Sequence, residues 1–174
     1  MMSLSCIRIL AIDLSYRDTG VCIYDKYDDG TSNVVQTKSI KSKPIGSSFS
    51  SYYLARLEMK NTITTINSIF AAWKCDCCII EMPCFTQSSK SAIAIGLCWG
   101  ATCYLGVENL VFIEPSALKK WSSSKKGDKK TKVKQEVESR GFLDSNDNIV
   151  DAVGIAMMFS DLVSTIKYNE TNRR

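Results

Sequence analysis

The stretch Ile9-Leu10-Ala11-Ile12-Asp13-Leu14-Ser15 constrains this chain most. Four apolar residues lead into a single carboxylate, which reads as a buried, central first strand with an acid at its end. A charge in such a place is costly unless it is paired, caps a turn or binds a cation. Asp13 therefore caps a turn, pairs with Arg17 or ligates a metal, and the stretch alone does not choose. Gly20, a little further on, reads as a turn residue.

The pattern downstream predicts an α/β chain. Strands are expected over 7–14, 19–26 and 33–40, with Asp28-Asp29-Gly30 as the turn between the second and third, so these three form an antiparallel meander. The Ser-, Lys- and Gly-rich segment 41–51, with Pro44, reads as a loop. The period then becomes helical: Leu54, Leu57, Thr62, Ile66, Ile69, Phe70 and Trp73 share one stripe, predicting a helix over 50–73. Cys77 to Ile80 is a short buried strand that ends at Glu81 and is stopped by Pro83. Strand, helix, strand implies a parallel crossover. A nearly all-apolar helix is expected over 87–105. Its glycines, Gly96 and Gly100, imply close backbone packing against the sheet or against a second subunit. Leu110–Ile113 is the fifth strand and Ser116–Trp121 a helical turn. Residues 129–140 form a charged helix closed by Gly141, and the last helix starts after Asp144-Ser145-Asn146 and runs to about residue 165. Tyr168–Arg174 reads as a polar tail.

One domain over residues 1–174 accounts for the length. No apolar run is long enough to span a membrane, and residues 1–5 have no secretory character. Eight cysteines and no histidine exclude Cys–His and Ser–His–Asp catalysis outright. Most of the cysteines lie in apolar runs, as buried reduced thiols do in a reducing, cytosolic-type compartment. Cys75, Cys77, Cys78 and Cys84 are poorly spaced for zinc, since adjacent residues of a strand point to opposite faces. The net charge is +4, but it is uneven: five aspartates fall in the first thirty residues, and eight lysines with one acid in 119–134. Such a basic cluster fits either a polyanionic partner or a solvated loop.

The acids recur at telling places. Asp13 ends the first strand and Glu81 the fourth, while Asp147 and Asp151 stand four apart on one face at the start of the last helix, with Asn148 beside them. Like charges at that spacing repel, and a cation offsets the repulsion. Carboxylates gathered without histidine favour hard, oxygen-seeking ions such as Mg2+ or Mn2+. Two such ions ~4 Å apart suit hydrolysis of a phosphodiester.

Six segments carry a resemblance over about residues 7–164. They are Ile9–Leu14, Ile79-Ile80-Glu81, Ile95–Gly100, Glu114–Lys119, Lys126–Lys130 and Asp151–Ala156. In order and spacing the chain resembles the RuvC-type Holliday junction resolvases of the RNase H-like superfamily. The family usually has an Asp three residues before the final one. Here that position is Asn148, with Asp147 beside it, as is similar to phage-encoded members. The lysine loop is also shorter than the family's.

The resemblance implies an RNase H-like α/β fold with a five-stranded mixed sheet flanked by helices. It implies a homodimeric, Mg2+-dependent (or Mn2+-dependent) endonuclease with two ions per site, nicking a four-way DNA junction symmetrically by attack of activated water. Asp13, Glu81 and Asp151 would hold the ions, completed by Asp147, which the sequence favours, or by the amide oxygen of Asn148. Lys119 and Lys130 take the family's lysine positions at the reacting phosphate. Lys120, Lys125, Lys126, Lys129 and Lys132 would meet backbone phosphates. Phe85 either stacks on a splayed base or packs in the core. Ala92, Gly96 and Gly100 would line the dimer helix. Trp99 and Trp121 read as packing residues and Met157-Met158 as core. A viral member would work in the host cytoplasm or nucleus; neither a membrane nor a nucleotide cofactor is expected. The competing expectations are an inactive branched-DNA-binding module, a nuclease for other branched DNA, and an actin-like phosphate-binding domain. The last lacks its glycine-rich loops here.

Overall fold

The computed structural model describes residues 5–43, 49–82, 89–123 and 128–171. Three strands come first: β1 (Cys6–Asp13), β2 (Asp18–Tyr27) and β3 (Ser32–Lys41). Helix α1 (Phe49–Trp73) leads to β4 (Cys77–Glu81), and α2 (Ser89–Thr102) leads to β5 (Leu110–Ile113). Three helices close the chain: α3 (Pro115–Trp121), α4 (Lys129–Ser139) and α5 (Asp147–Thr171). The strands form one sheet in the order β3-β2-β1-β4-β5. β1, β2 and β3 pair antiparallel, whereas β4 pairs parallel to both β1 and β5. The expected mixed sheet with its antiparallel meander is what the chain forms.

β1 is central and covered on both sides, which explains its unbroken apolar run. Ile9 and Ala11 join Cys22, Tyr24 and Ile79 in one core, built against α5, α3 and α4. Leu10 and Ile12 join Val21, Ile23, Cys78 and Ile80 in the other, under α1 and α2. Each fully buried Ile or Leu side chain is stabilising by roughly 1.5–3 kcal/mol. Edge strand β3 is instead largely polar and half exposed, which suits an edge that must not recruit another strand.

α5 lies across β1 and β2, and it is buried almost continuously from Ile149 to Met158. Met157 and Met158 are core residues, as expected. α3 and α4 pack on its outer side at Gly154, where a Cβ would come within 2.8 Å of a Val133 methyl. Gly141, at φ +90°, ends α4 in the left-handed conformation that favours glycine. Trp121 packs as anticipated: its indole donates to Asp161 at 2.9 Å, and the Arg140 guanidinium lies 5.0 Å over its ring.

Three expectations are corrected. α2 ends at Thr102, three residues early, in a turn closed by Tyr104 N–H donating to the Ala101 carbonyl. α5 continues to Thr171 rather than stopping near residue 165, since no Gly or Pro interrupts hydrogen bonding along the intervening residues. Gly20 is not in a turn; it lies within β2, opposite Asp13. Among the described residues no helix is long and apolar enough to cross a membrane.

Candidate active site

The parallel pairing of β1 with β4 governs the geometry. Ile12 is in register with Ile80, so Asp13 and Glu81, each the last residue of its strand, stand one step beyond as neighbours. Alternation along the strands puts both on the α5 side, with Ile9, Ala11 and Ile79. Glu81 is also in register with Ile113 of that same core and is itself buried, 8% exposed.

α5 meets this end of the sheet through Gly20. A Cβ built there would fall 1.9 Å from the Asn148 carbonyl oxygen and 2.3 Å from its carbon. Only a residue without a side chain lets the first turn of the helix rest on β2. Asp13 therefore pairs across β2 with the residue on which α5 begins, and Asp151 lies one turn further along that helix, half-buried. The partial positive charge of a helix N-terminus favours acids in its neighbourhood.

The start of α5 is itself clamped. Asn146 caps it: its side-chain oxygen accepts from the Asn148 N–H at 2.9 Å and the Ile149 N–H at 3.4 Å. The amide end of Asn146 donates to Asp18 at 3.2 Å. Asp18 also accepts from the Ser39 hydroxyl. Burial pushes the Asp18 carboxyl up, but the Ser39 and Asn146 donors, the neighbouring Asn148 amide and the charge of Lys41 outweigh it, holding the group below the usual carboxylate range. Below, Ser15 and Thr19 fasten the β1–β2 link. The Ser15 hydroxyl donates to the Asp18 carbonyl at 2.8 Å, and the Thr19 hydroxyl to the Ser15 carbonyl at 2.7 Å. Sequence reasoning passed over Asp18 and mistook Gly20. Their partners on α5 are about 128 residues away, and no local pattern signals such a contact.

Asp147 takes a different position. Its side chain is 56% exposed and meets Lys130 of α4 at 3.4 Å. Lys119 and Lys120 are exposed on α3, which follows β5 and thus leaves the same end of the sheet as Glu81. Lys132 is half-buried on α4. Phe85, Lys125 and Lys126 lie outside the described residues, as does the Lys129 side chain. Among the described residues no group of three or more Asp, Glu, Cys or His side chains stands in a metal-holding arrangement. The oxygens that could hold a hard cation are those of Asp13, Glu81, Asp151 and Asn148.

Among the described residues Cys22, Cys75, Cys78 and Cys98 are buried in the core, whereas Cys103, just past the end of α2, is exposed, contrary to expectation; Cys84 lies outside the described residues. Burial pushes Cys75 and Cys77 up to about 11, away from the thiolate that zinc requires. Burial, with a smaller contribution from the charge of Asp13, pushes Cys98 of α2 up to about 12.

No protein-family model and no curated protein matches the chain. Solved structures do. RuvC of Thermus thermophilus, in complex with a Holliday junction substrate, superposes with a TM-score of 0.68 at 16% identity. The match covers 87% of this chain and 92% of that one. A second structure of the same protein gives 0.63 at 14% identity. The yeast mitochondrial Holliday junction resolvase Ydc2 gives 0.59 at 13% identity, over 93% of this chain and 82% of that one. The chain has the RuvC-type, RNase H-like fold. Within that RuvC-type fold, Asp13 and Glu81 end two neighbouring parallel strands, and Asp151 sits on α5, which lies across β1 and β2.

One face of α2 has no cover among the described residues. Ala92, Gly96 and Gly100 are exposed on α2, and a Cβ at either glycine would meet nothing within 4 Å. Packing against the described residues therefore does not explain these glycines. A groove of about 570 Å³ runs between α1 and α2, lined by Met59, Ile63, Gly96, Leu97 and Gly100 among others.

Proposed function

We propose that this protein is a divalent-cation-dependent endonuclease that cuts four-way DNA junctions, acting as a homodimer. The observation that carries the reading is that Asp13 and Glu81 end neighbouring parallel strands on the face that α5 covers. This occurs in a fold matched over nearly its whole length by junction resolvases.

Asp13, Glu81 and Asp151 would hold the cation, Mg2+ or Mn2+. The donor set is all oxygen, which fits those ions. When bound, such ions act as Lewis acids and activate water against a phosphodiester. For the fourth oxygen, the geometry favours Asn148 over Asp147, because Asp147 is turned out to Lys130. That exposed ion pair is weak and readily exchanged. Lys130 can therefore leave Asp147 for a phosphate oxygen, and with Lys119 would offset charge that develops on the reacting phosphate. The apolar outer face of α2 with the exposed Ile93, and Tyr104 exposed just beyond the helix, supports a second copy as its cover.

The test is a synthetic four-way junction incubated with and without Mg2+. The expected result is two symmetric nicks with the cation and none without it, while Asp13→Asn still binds the junction but does not cut. Undiminished cutting by that variant would remove the site from consideration. A second reading is a module that binds branched DNA without cutting it; the lack of a preformed three-carboxylate group among the described residues favours it. It predicts junction binding with no product in either Mg2+ or Mn2+.

A further inference from the structure

We propose that Asp18 is a positioning residue for the candidate cation site: through Asn146 it sets where the start of α5, and with it Asp151, stands relative to the acids on the strands. This rests on the metal-site reading above and adds a residue that does not itself touch the ion.

The three acids assigned to the cation come from two kinds of element. Asp13 and Glu81 end strands whose register is fixed by sheet pairing. Asp151 rides on a helix, and a helix can slide or tilt on a sheet unless something holds it near its start. Apolar burial is a poor hold, because it is non-directional. Hydrogen bonds have a set length and direction.

A run of such bonds joins the two kinds of element. The Ser15 hydroxyl, two residues after Asp13, donates to the Asp18 carbonyl at 2.8 Å and accepts from the Asp18 N–H at 3.2 Å. The Asp18 carboxylate, half-buried at the start of β2, divides its oxygens. Oδ1 accepts from the Ser39 hydroxyl of β3, and Oδ2 accepts from the Asn146 amide at 3.2 Å. Asn146 is held in turn: its backbone N–H donates to the Asp144 carboxylate at 2.8 Å, and its side-chain oxygen caps α5. Capping alone needs only that oxygen, and Ser or Asp would serve as well. What asparagine adds is a donor at its other end, and Asp18 receives it. At Gly20 the Asn148 carbonyl occupies the place of a side chain, so α5 already lies directly on β2. That contact stops the first turn from moving inward, and the Asp18–Asn146 bond stops it from lifting away.

The experiment is calorimetric titration of the full chain with Mn2+ alone, without DNA, beside thermal melts in cation-free buffer. Asn146→Ser keeps an oxygen to cap α5 and removes only the donor to Asp18. It is expected to melt close to wild type yet to bind Mn2+ about tenfold more weakly, the usual effect of losing a group that orients a ligand. Asp18→Asn sets two amide donors against each other, with the same expected loss of affinity. The double variant Asp18→Asn/Asn146→Asp exchanges donor and acceptor, retains the cap and the Ser39 bond, and is expected to recover affinity towards wild type. A merely structural Asp18 would move the melting temperature and leave Mn2+ binding alone. If Asp18→Asn does not fold, Asn146→Ser reads the same bond from its other end. Wild-type affinity in Asn146→Ser, or a double variant no better than Asp18→Asn, overturns the proposal. Asp13→Asn separates the two levels. If it loses Mn2+ while Asn146→Ser keeps it, only the role of Asp18 fails. If it titrates like wild type, the metal site fails and Asp18 with it.

Discussion

Asp25 is 3% exposed and is kept as a charge by Arg8, whose guanidinium donates to both of its oxygens at 2.7 Å. Those hydrogen bonds, opposed by burial and aided by the guanidinium charge, hold the Asp25 carboxyl below the usual carboxylate range. Arg8 also donates to the Trp73 carbonyl at 3.2 Å and lies over that ring at 5.7 Å, so the pair joins β1, β2 and the end of α1. The folded-state pKa is depressed, so the stabilisation is present above the unfolded value near ~3.9 and is lost as pH falls through the folded one. The Arg8 side chain is about a third exposed, which softens the loss. Asp25→Asn should therefore cost about 2 kcal/mol at pH 7. That is a fall of roughly 6 °C in Tm for a chain of this size. Thermal melts at pH 7 and pH 3 check it, with the gap between variant and wild type closing at the lower pH. Neither Asp25 nor Asp18 could be assigned from the sequence. Each depends on a partner brought to it by sheet pairing or helix docking, whereas Asp13 and Glu81 were marked locally by the apolar runs they end.

At the scale of elements, the two helices with internal glycines differ in what the glycine is for. Gly154 of α5 makes room for Val133 within the subunit, while Gly96 and Gly100 of α2 face open space. The sequence showed small residues in both helices but not which had an internal neighbour, because that depends on where α3 and α4 come to rest. Gly96→Leu is expected to leave the monomer folded, with a Tm in dilute solution unchanged or slightly raised as helix propensity improves. On the proposed homodimer reading, sedimentation should show the variant as monomer where the wild type is dimer; a dimer in both would mean another face makes the contact. Helix and strand positions followed their periodicity closely, since turn signals and apolar stripes are local. The end of α5 did not, because propagation of a helix past its buried stripe depends on the absence of breakers rather than on pattern; nor did the end of α2, which stops early in a turn at Tyr104 with no Gly or Pro to mark it.

Across the molecule, one side of the sheet carries both the candidate acids and a set of lysines. Acids gather at the ends of β1 and β4 and the start of α5, while Lys119, Lys120, Lys130 and Lys132 stand on α3 and α4 on the same side of the sheet. If these lysines track a DNA backbone, each phosphate contact releases counterions, and affinity falls as salt rises. Replacing Lys120 and Lys132 together by alanine should lower the slope of log K against log salt by about 2, with similar effect on junctions of unrelated sequence. Fluorescence anisotropy across a series of salt concentrations measures this; an unchanged slope would make the two residues bystanders.

Asp13, Glu81 and Asp151 come from the opening strand, the middle and the final helix of the described chain. Until α5 settles on β1 and β2, Ile9, Ala11, Cys22 and Ile79 line a bare, sticky flank. A nascent polypeptide still missing that helix is an aggregation risk and a substrate for chaperones. On the functional reading above it is also harmless to any DNA it meets. Finishing the hydrophobic interior and arming the enzyme are then one event, and half-made molecules stay blunt.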